Sequence, residues 1–386
     1  MRRRTQTPST LRLSRLQQCC AIGVAFLVAA AALEMAVRIC TYSPPNVLAA
    51  SKNPMGTYYF SSEPIHNPGP LGDLVPGETL WLLWPSHPYL ATVNHQGLRN
   101  EEEVNPQAFR ILALGDSMTF GPYVANRETW PALLEADLRR AIPEPPIQVL
   151  NAGVPGYSIP QEYGYLKEKG LRLQPQLVIL AVHMNDIIGM ARRKQEEFPR
   201  PSPRSMTLTS WLTRHSAFFH ILRALAVDMR IQRVKTAKHA TKDADTHEVL
   251  DPYYEEYRHD FQELAQLLKQ EKVPLAVFIF PDYTQVPTHA CPNKEQQFLK
   301  DLAGTANVPF LDLIPVFRDY SIEDLFLLHY EAAPPVDPAH CFPEHARYVG
   351  NGHLSRFGYQ ITARAILAWL RSHQLVPQPK EKADPP

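Results

Sequence analysis

The chain has 386 residues, 45% hydrophobic and 20% charged, which suits a globular protein with a substantial core and excludes a wholly disordered one. Its 39 basic and 39 acidic side chains cancel, so the basic excess of a dedicated nucleic-acid binder is missing. Five cysteines are too few for a disulfide scaffold, and 37 prolines, nearly double the usual share of about 5%, predict long stiff connections.

Arg2, Arg3, Arg4, Arg12 and Arg15 come before any acidic residue, and no charge occurs from Leu16 to Leu33. A helix crossing the hydrocarbon needs about 20 mostly apolar residues. Residues 16–40 are therefore predicted to form an uncleaved signal anchor behind a cytoplasmic basic tail, 1–15. Glu34 and Arg38 stand one helical turn apart and are expected to pair near the far interface. The positive-inside rule then leaves one pass through the inner membrane, with the remainder on the periplasmic side. A cleaved signal peptide fits less well, because its small-residue site, Ala29–Ala32, would lie inside the apolar run. Cys19, Cys20 and Cys40 line or flank this anchor.

Residues 41–108 form a proline-punctuated approach segment with few periodic runs. From residue 109 the pattern changes. Apolar runs of strand length at 110–114, 147–151, 176–182, 274–280 and 308–313 alternate with amphipathic helical stretches. Continuous apolar strands separated by helices predict a parallel sheet covered on both faces, a doubly wound α/β domain over residues 109–375. A last helix is expected at about 357–373, and the tail 376–386 is expected to be disordered. An insertion at about 191–248 interrupts the alternation, and its residues 191–245 carry twelve Lys/Arg against five Asp/Glu. It is read as a helical excursion packed on the sheet with a solvated basic side. A cap over the site, or a face for anionic headgroups, is the alternative.

Four short blocks carry the chemistry. Gly115-Asp116-Ser117 follows the first strand of the domain and opens a helix, at the carboxyl end where open α/β sheets place their sites. Asp116 reads as a turn-stabilising acceptor. The second strand runs into Asn151-Ala152-Gly153-Val154-Pro155-Gly156, where a glycine lets a backbone N–H approach a ligand. The third ends in His183-Met184-Asn185-Asp186, whose asparagine amide can donate to an oxyanion. His353, read as a loop residue before the last helix, is a candidate general base. If the strand order is 2-1-3-4-5, Ser117, Gly156 and Asn185 converge as a nucleophile between two oxyanion donors.

These blocks together resemble the SGNH, or GDSL-type, hydrolases. The stretches VNHQGLRNEE (93–102), ILALGDSMTFGPYV (111–124), VLNAGVPGYSIPQ (149–161) and LVILAVHMND (177–186) are similar to the membrane-anchored bacterial branch of that superfamily. The resemblance implies a flavodoxin-like three-layer sandwich with five parallel strands, no metal or cofactor, and ester chemistry through an acyl-enzyme. It implies Ser117 as nucleophile, His353 as base, and an oxyanion hole of the Ser117 and Gly156 N–H groups with the Asn185 side chain. Two departures stand out. The family's third block has glycine where this chain has His183, and the aspartate two or three residues before the catalytic histidine is replaced by Asn351 or Gly350. An asparagine can orient an imidazole but supplies no charge to the imidazolium. A Ser117–His353 dyad oriented by Asn351 is the preferred arrangement. Asp337 as the acid, or a weak or repurposed hydrolase, are the alternatives.

The expected activity is that of an extracytoplasmic serine esterase on O-acylated glycans or lipids. Its rivals are an O-acyltransferase to a surface polysaccharide and a catalytically quiet envelope assembly protein. Outside the cytoplasm, Cys291 and Cys341 form a candidate disulfide closing about 50 residues, worth roughly 4 kcal/mol in the chain-entropy account. His340, Cys341, Glu344 and His345 fit no standard zinc spacing. Tyr253, Tyr254 and Tyr257 are read as helix packing, and Asp186 and Asp312 as loop holders.

Overall fold

Branched apolar residues alternate their side chains across a strand, and here both alternating sets are buried. Ile111 and Ala113 join one hydrophobic cluster and Leu112 and Leu114 the other. That double burial is what a parallel sheet with helices on both faces requires. The computed structural model describes residues 14–41, 58–59, 71–84, 87–183, 186–187, 190, 216, 218–219, 222, 251–283, 285–286, 294–332 and 347–378.

The chain begins with α1 (Arg15–Thr41). Short strand β1 (Tyr58–Tyr59) pairs in parallel with β2 (Thr79–Trp84), which forms an antiparallel hairpin with β3 (His87–Thr92). The central elements follow: β4 (Phe109–Gly115), α2 (Ser117–Phe120), α3 (Trp130–Ala141), β5 (Ile147–Gly153), α4 (Ile159–Glu168) and β6 (Leu177–His183). Then come α5 (Asp251–Gln270), β7 (Leu275–Phe280), α6 (Lys294–Thr305) and β8 (Phe310–Asp312). Two single-turn helices, α7 (Ile314–Phe317) and α8 (Ile322–Leu325), lead into an antiparallel pair, β9 (Phe326–Ala332) and β10 (Arg347–Leu354), and the closing helix α9 (Arg356–Ser372).

The five parallel strands lie in the order β5-β4-β6-β7-β8, the expected 2-1-3-4-5 arrangement with β4 flanked by β5 and β6. The fold is a flavodoxin-like α/β sandwich. Trp130, Leu134 and Leu138 of α3, with Tyr359, Ile366 and Leu370 of α9, cover one face. Ile159 and Tyr165 of α4, Tyr257 and Phe261 of α5, and Leu299 and Leu302 of α6 cover the other. Tyr254 and Tyr257 are buried with their rings against Phe298, a packing role. Asp312 accepts the Ile314 N–H at 2.9 Å and so starts α7.

Two features were not visible in the sequence pattern. The approach segment contributes to the core: Leu74, Tyr89, Ala91, Val93 and Leu98 are buried in the same cluster as α4 and α5. It also carries the β2–β3 hairpin. Second, the end of the chain folds into β9–β10 before α9, so His353 sits on a strand and not in a loop. Ser355 caps α9 by accepting the Gly358 N–H at 3.0 Å, two residues after His353, and the strand ends at Leu354 just before it.

The segment Cys20–Val37 of α1 is long and apolar enough to cross a membrane, with a mean hydropathy of 2.3 and none of it buried. Ile22, Val24, Phe26 and Leu27 are all exposed on it. Near its end, Glu34 Oε2 accepts from Ser216 Oγ at 2.9 Å and from the Phe218 N–H at 3.1 Å. Most of the insertion, the greater part of the tail, Cys291, Cys341 and the His340, Glu344 and His345 group lie outside the described residues.

Candidate active site

Ser117 leaves β4, an inner strand of the sheet, through a turn that requires glycine at position 115. A Cβ on Gly115 would stand 2.2 Å from Thr119 Oγ1 and 2.8 Å from the Ala181 carbonyl, so a side chain there would collide with the Ser117 turn and with β6. A Cβ on Gly153, at the end of β5, would stand 2.2 Å from the Phe120 nitrogen. The ends of β4, β5 and β6 therefore converge at backbone contact distance around Ser117.

Polar groups lock the same turn. Asp116, buried, accepts the Met118 N–H at 2.7 Å and caps α2, the turn-stabilising role expected for it. Asn151 Nδ2 donates to the Thr119 carbonyl at 3.0 Å, while its Oδ1 accepts the Gly153 N–H at 3.0 Å. The Val154 N–H donates to the Gly115 carbonyl at 3.0 Å. Gly156 has φ +79°, with open space where a Cβ would point. The loop after β5 thus needs glycine for its conformation rather than for room.

The approach segment reaches this turn through Arg99, which is 1% exposed. Its Nη1 donates to the carbonyls of Phe120 and Gly121, its Nη2 to Val124 at 2.6 Å, and its Nε to Asn126 Oδ1 at 3.2 Å. The guanidinium also lies 4.3 Å from the centre of the Phe120 ring. Burial lowers its pKa to about 10, which leaves it a cation at neutral pH.

His353 comes to the site from the far end of the chain. The β9–β10 ladder pairs Asn351 with Leu327 and then Leu354 with Phe326, a register shift that sets Gly352 and His353 in a bulge. Bulges re-aim side chains. This one sends the imidazole toward Ser117, whose Oγ lies 2.9 Å from His353 Nε2 across 236 residues of sequence. With the serine hydroxyl donating, Nε2 is the acceptor and the ring proton belongs on Nδ1. Burial, with the neighbouring His183 adding a smaller effect, pushes the His353 pKa down from 6.5 to about 4. The imidazole is therefore neutral at pH 7.

Tyr123 packs edge-on against His353, with ring centroids 5.5 Å apart. The Tyr283 ring covers Gly352, where an added Cβ would fall 2.8 Å from a ring carbon. His183 ends β6, is 8% exposed, and donates its N–H to Asp186 Oδ2 at 3.4 Å.

Of the residues predicted for the site, Ser117 and His353 are brought into hydrogen-bond contact. Asn185 and Asp337 lie outside the described residues, as does the side chain of Asn351. Among the described residues, no group of three or more His, Cys, Asp or Glu could hold a metal ion. Sequence reasoning missed Arg99, Tyr123, Asn151 and Tyr283. Arg99, Tyr123 and Asn151 lie within the three stretches 93–102, 111–124 and 149–161, but nothing local to them marks contact with the Ser117 turn or with His353.

The profile of the GDSL-like lipase/acylhydrolase family matches residues 113–361. No curated protein sequence matches the chain. Among solved structures, the acetylxylan esterase Axe2 from Geobacillus stearothermophilus is 16% identical with a TM-score of 0.38, covering 72% of this chain and 100% of its own. A G-D-S-L family protein from Desulfitobacterium hafniense DCB-2 is 15% identical with a TM-score of 0.38, covering 68% and 99%. The acetyl xylan esterase AlAXEase is 14% identical with a TM-score of 0.39, covering 67% and 98%. With its profile match running through the nucleophile turn and the strand that carries His353, the chain belongs to the GDSL-like lipase/acylhydrolase family and is an SGNH-type serine hydrolase acting on ester bonds.

Proposed function

We propose that this hydrolase is a membrane-anchored, extracytoplasmic esterase that works through an acyl-enzyme on Ser117. The observation that carries the reading is the 2.9 Å hydrogen bond between Ser117 Oγ and His353 Nε2. In the first step His353 Nε2 takes the hydroxyl proton as Oγ attacks the acyl carbonyl. The oxyanion is held by the N–H groups of Ser117 and Gly156 and by the Asn185 amide. The imidazolium then returns its proton to the departing alkoxide. Water, deprotonated by the same imidazole, releases the acyl group. Asn351 orients the ring without lending it charge, in the manner of Cys-His-Asn proteases.

The exposed apolar face of α1 supports the anchor, and the arginines before it support an outward-facing domain. The bonds from Ser216 and Phe218 to Glu34 support contact between the middle of the insertion and the outer end of that anchor. An O-acylated glycan or lipid at the membrane surface is the substrate class this position favours.

The test is fluorophosphonate labelling of the full chain in detergent. Labelling is expected to vanish in Ser117→Ala and His353→Ala, and Asn351→Ala should reduce it. A folded wild-type protein that refused the probe would overturn the activated serine. Survival of labelling in His353→Ala would overturn the base.

A further inference from the structure

His353 sits in the bulge between the Asn351 and Leu354 pairings, where the regular ladder is interrupted. Tyr123 packs on its ring. The centroids are 5.5 Å apart and the planes meet at 65°, an edge-to-face arrangement. Tyr123 is braced from behind by Tyr89, whose centroid lies 5.8 Å away at 61°.

The backbone of Tyr123 carries a second signal. Its φ is +70°, the left-handed region that glycine or asparagine enters readily and a bulky residue enters at a cost. Such strain persists only where the surroundings impose it. Here Arg99 imposes it. Its guanidinium binds the carbonyls of Phe120 and Gly121 before the tyrosine and of Val124 after it, so the turn is clamped on both sides. The turn geometry alone would be met better by glycine, so the aromatic ring is what the strain retains.

We propose that Tyr123 is a positioning residue for the reaction: held by the Arg99 clamp, its ring sets the angle at which His353 meets Ser117. This rests on His353 being the base. It gives the imidazole a steric support on the side of the nucleophile turn, in a chain whose histidine lacks the aspartate two or three residues before it.

The experiment compares Tyr123→Gly, Tyr123→Asn and Tyr123→Phe in the full chain in detergent, with His353→Ala beside them. Hydrolysis of p-nitrophenyl acetate and fluorophosphonate labelling are the readouts, and thermal unfolding checks the fold. Glycine and asparagine accept the left-handed backbone, so both variants should fold at least as stably as the parent. Their kcat should fall about tenfold or more with KM within about twofold, because a misdirected base slows chemistry rather than binding. Tyr123→Phe keeps the ring and should restore kcat to within about threefold. Parental kcat in the glycine and asparagine variants, with His353→Ala inactive, would overturn the inference and leave the base intact. An active His353→Ala would instead overturn the base. Failure of both ringless variants to fold would assign Tyr123 a structural role and overturn the inference as well.

Discussion

Ser117 and His353 meet at 2.9 Å, but they are held by unlike structures. Ser117 leaves β4, a strand hydrogen-bonded on both sides and buried on both faces. Its turn is fixed by the close approaches at Gly115 and Gly153 and by Asp116 and Asn151. His353 leaves a two-stranded antiparallel pair outside the main sheet, at a bulge, with aromatic rings for neighbours. Ser117 is placed by the core of the domain. His353 is placed from outside that sheet, with the Tyr123 ring and the Ser117 hydroxyl among its contacts.

The largest effect comes from the point where the two halves join. Ser117→Ala removes the attacking atom, and ester hydrolysis should fall by on the order of 10⁴ or more with the unfolding temperature unchanged, as turnover assays and calorimetry would show. Arg99→Met should follow. It strips the carbonyls of Phe120, Gly121 and Val124 of their buried donor, at a cost of about 3 kcal/mol in denaturant unfolding. It should also reduce labelling of the fraction that remains folded, since the same clamp holds Tyr123.

Gly153→Ala probes the nucleophile side alone. Its Cβ would press on the Phe120 nitrogen, costing about 1–3 kcal/mol in chemical denaturation. A full-stability Gly153→Ala would mean that the convergence of β4 and β5 is looser than the contacts indicate.

Changing pH probes the base side. His353 is pushed down from 6.5 to about 4, so it stays neutral as the pH falls through 6.5, and the acid limb of hydrolysis should lie near 4. Between these values the unfolded chain binds a proton that the folded chain does not. The contribution of this group to stability therefore declines as the pH drops across that window. An acid limb near 6.5 would show that burial does not control the imidazole. The smallest effect belongs to Ser355→Ala. It removes the cap of α9 and should cost about 1 kcal/mol in thermal unfolding while leaving the Ser117 turn untouched.

Much of this architecture could be read from local patterns. Apolar runs of strand length between amphipathic helices announce a parallel sheet, because only double burial tolerates such runs. The place of Ser117 was legible because its Gly-Asp-Ser turn follows a strand at the carboxyl end of such a sheet and because three further blocks accompany it. An uncharged run behind arginines marks α1 by composition alone. These signals are local, set by period, length and turn chemistry. The setting of His353 was not legible, because a bulge depends on which strand lies opposite, and β9 and β10 carry no strong alternation. Nor were the roles of Arg99 and Tyr123, which lie 24 residues apart and act through carbonyls of a turn neither would reveal alone. Sequence by itself determined the alternation of strands and helices and hence the layers, since short-range hydrophobic pattern dictates them, while the strand order was there only a supposition that the tertiary structure decided. Tertiary structure alone decided how His353 reaches Ser117, since that contact spans 236 residues and exists only once both faces of the sheet are packed.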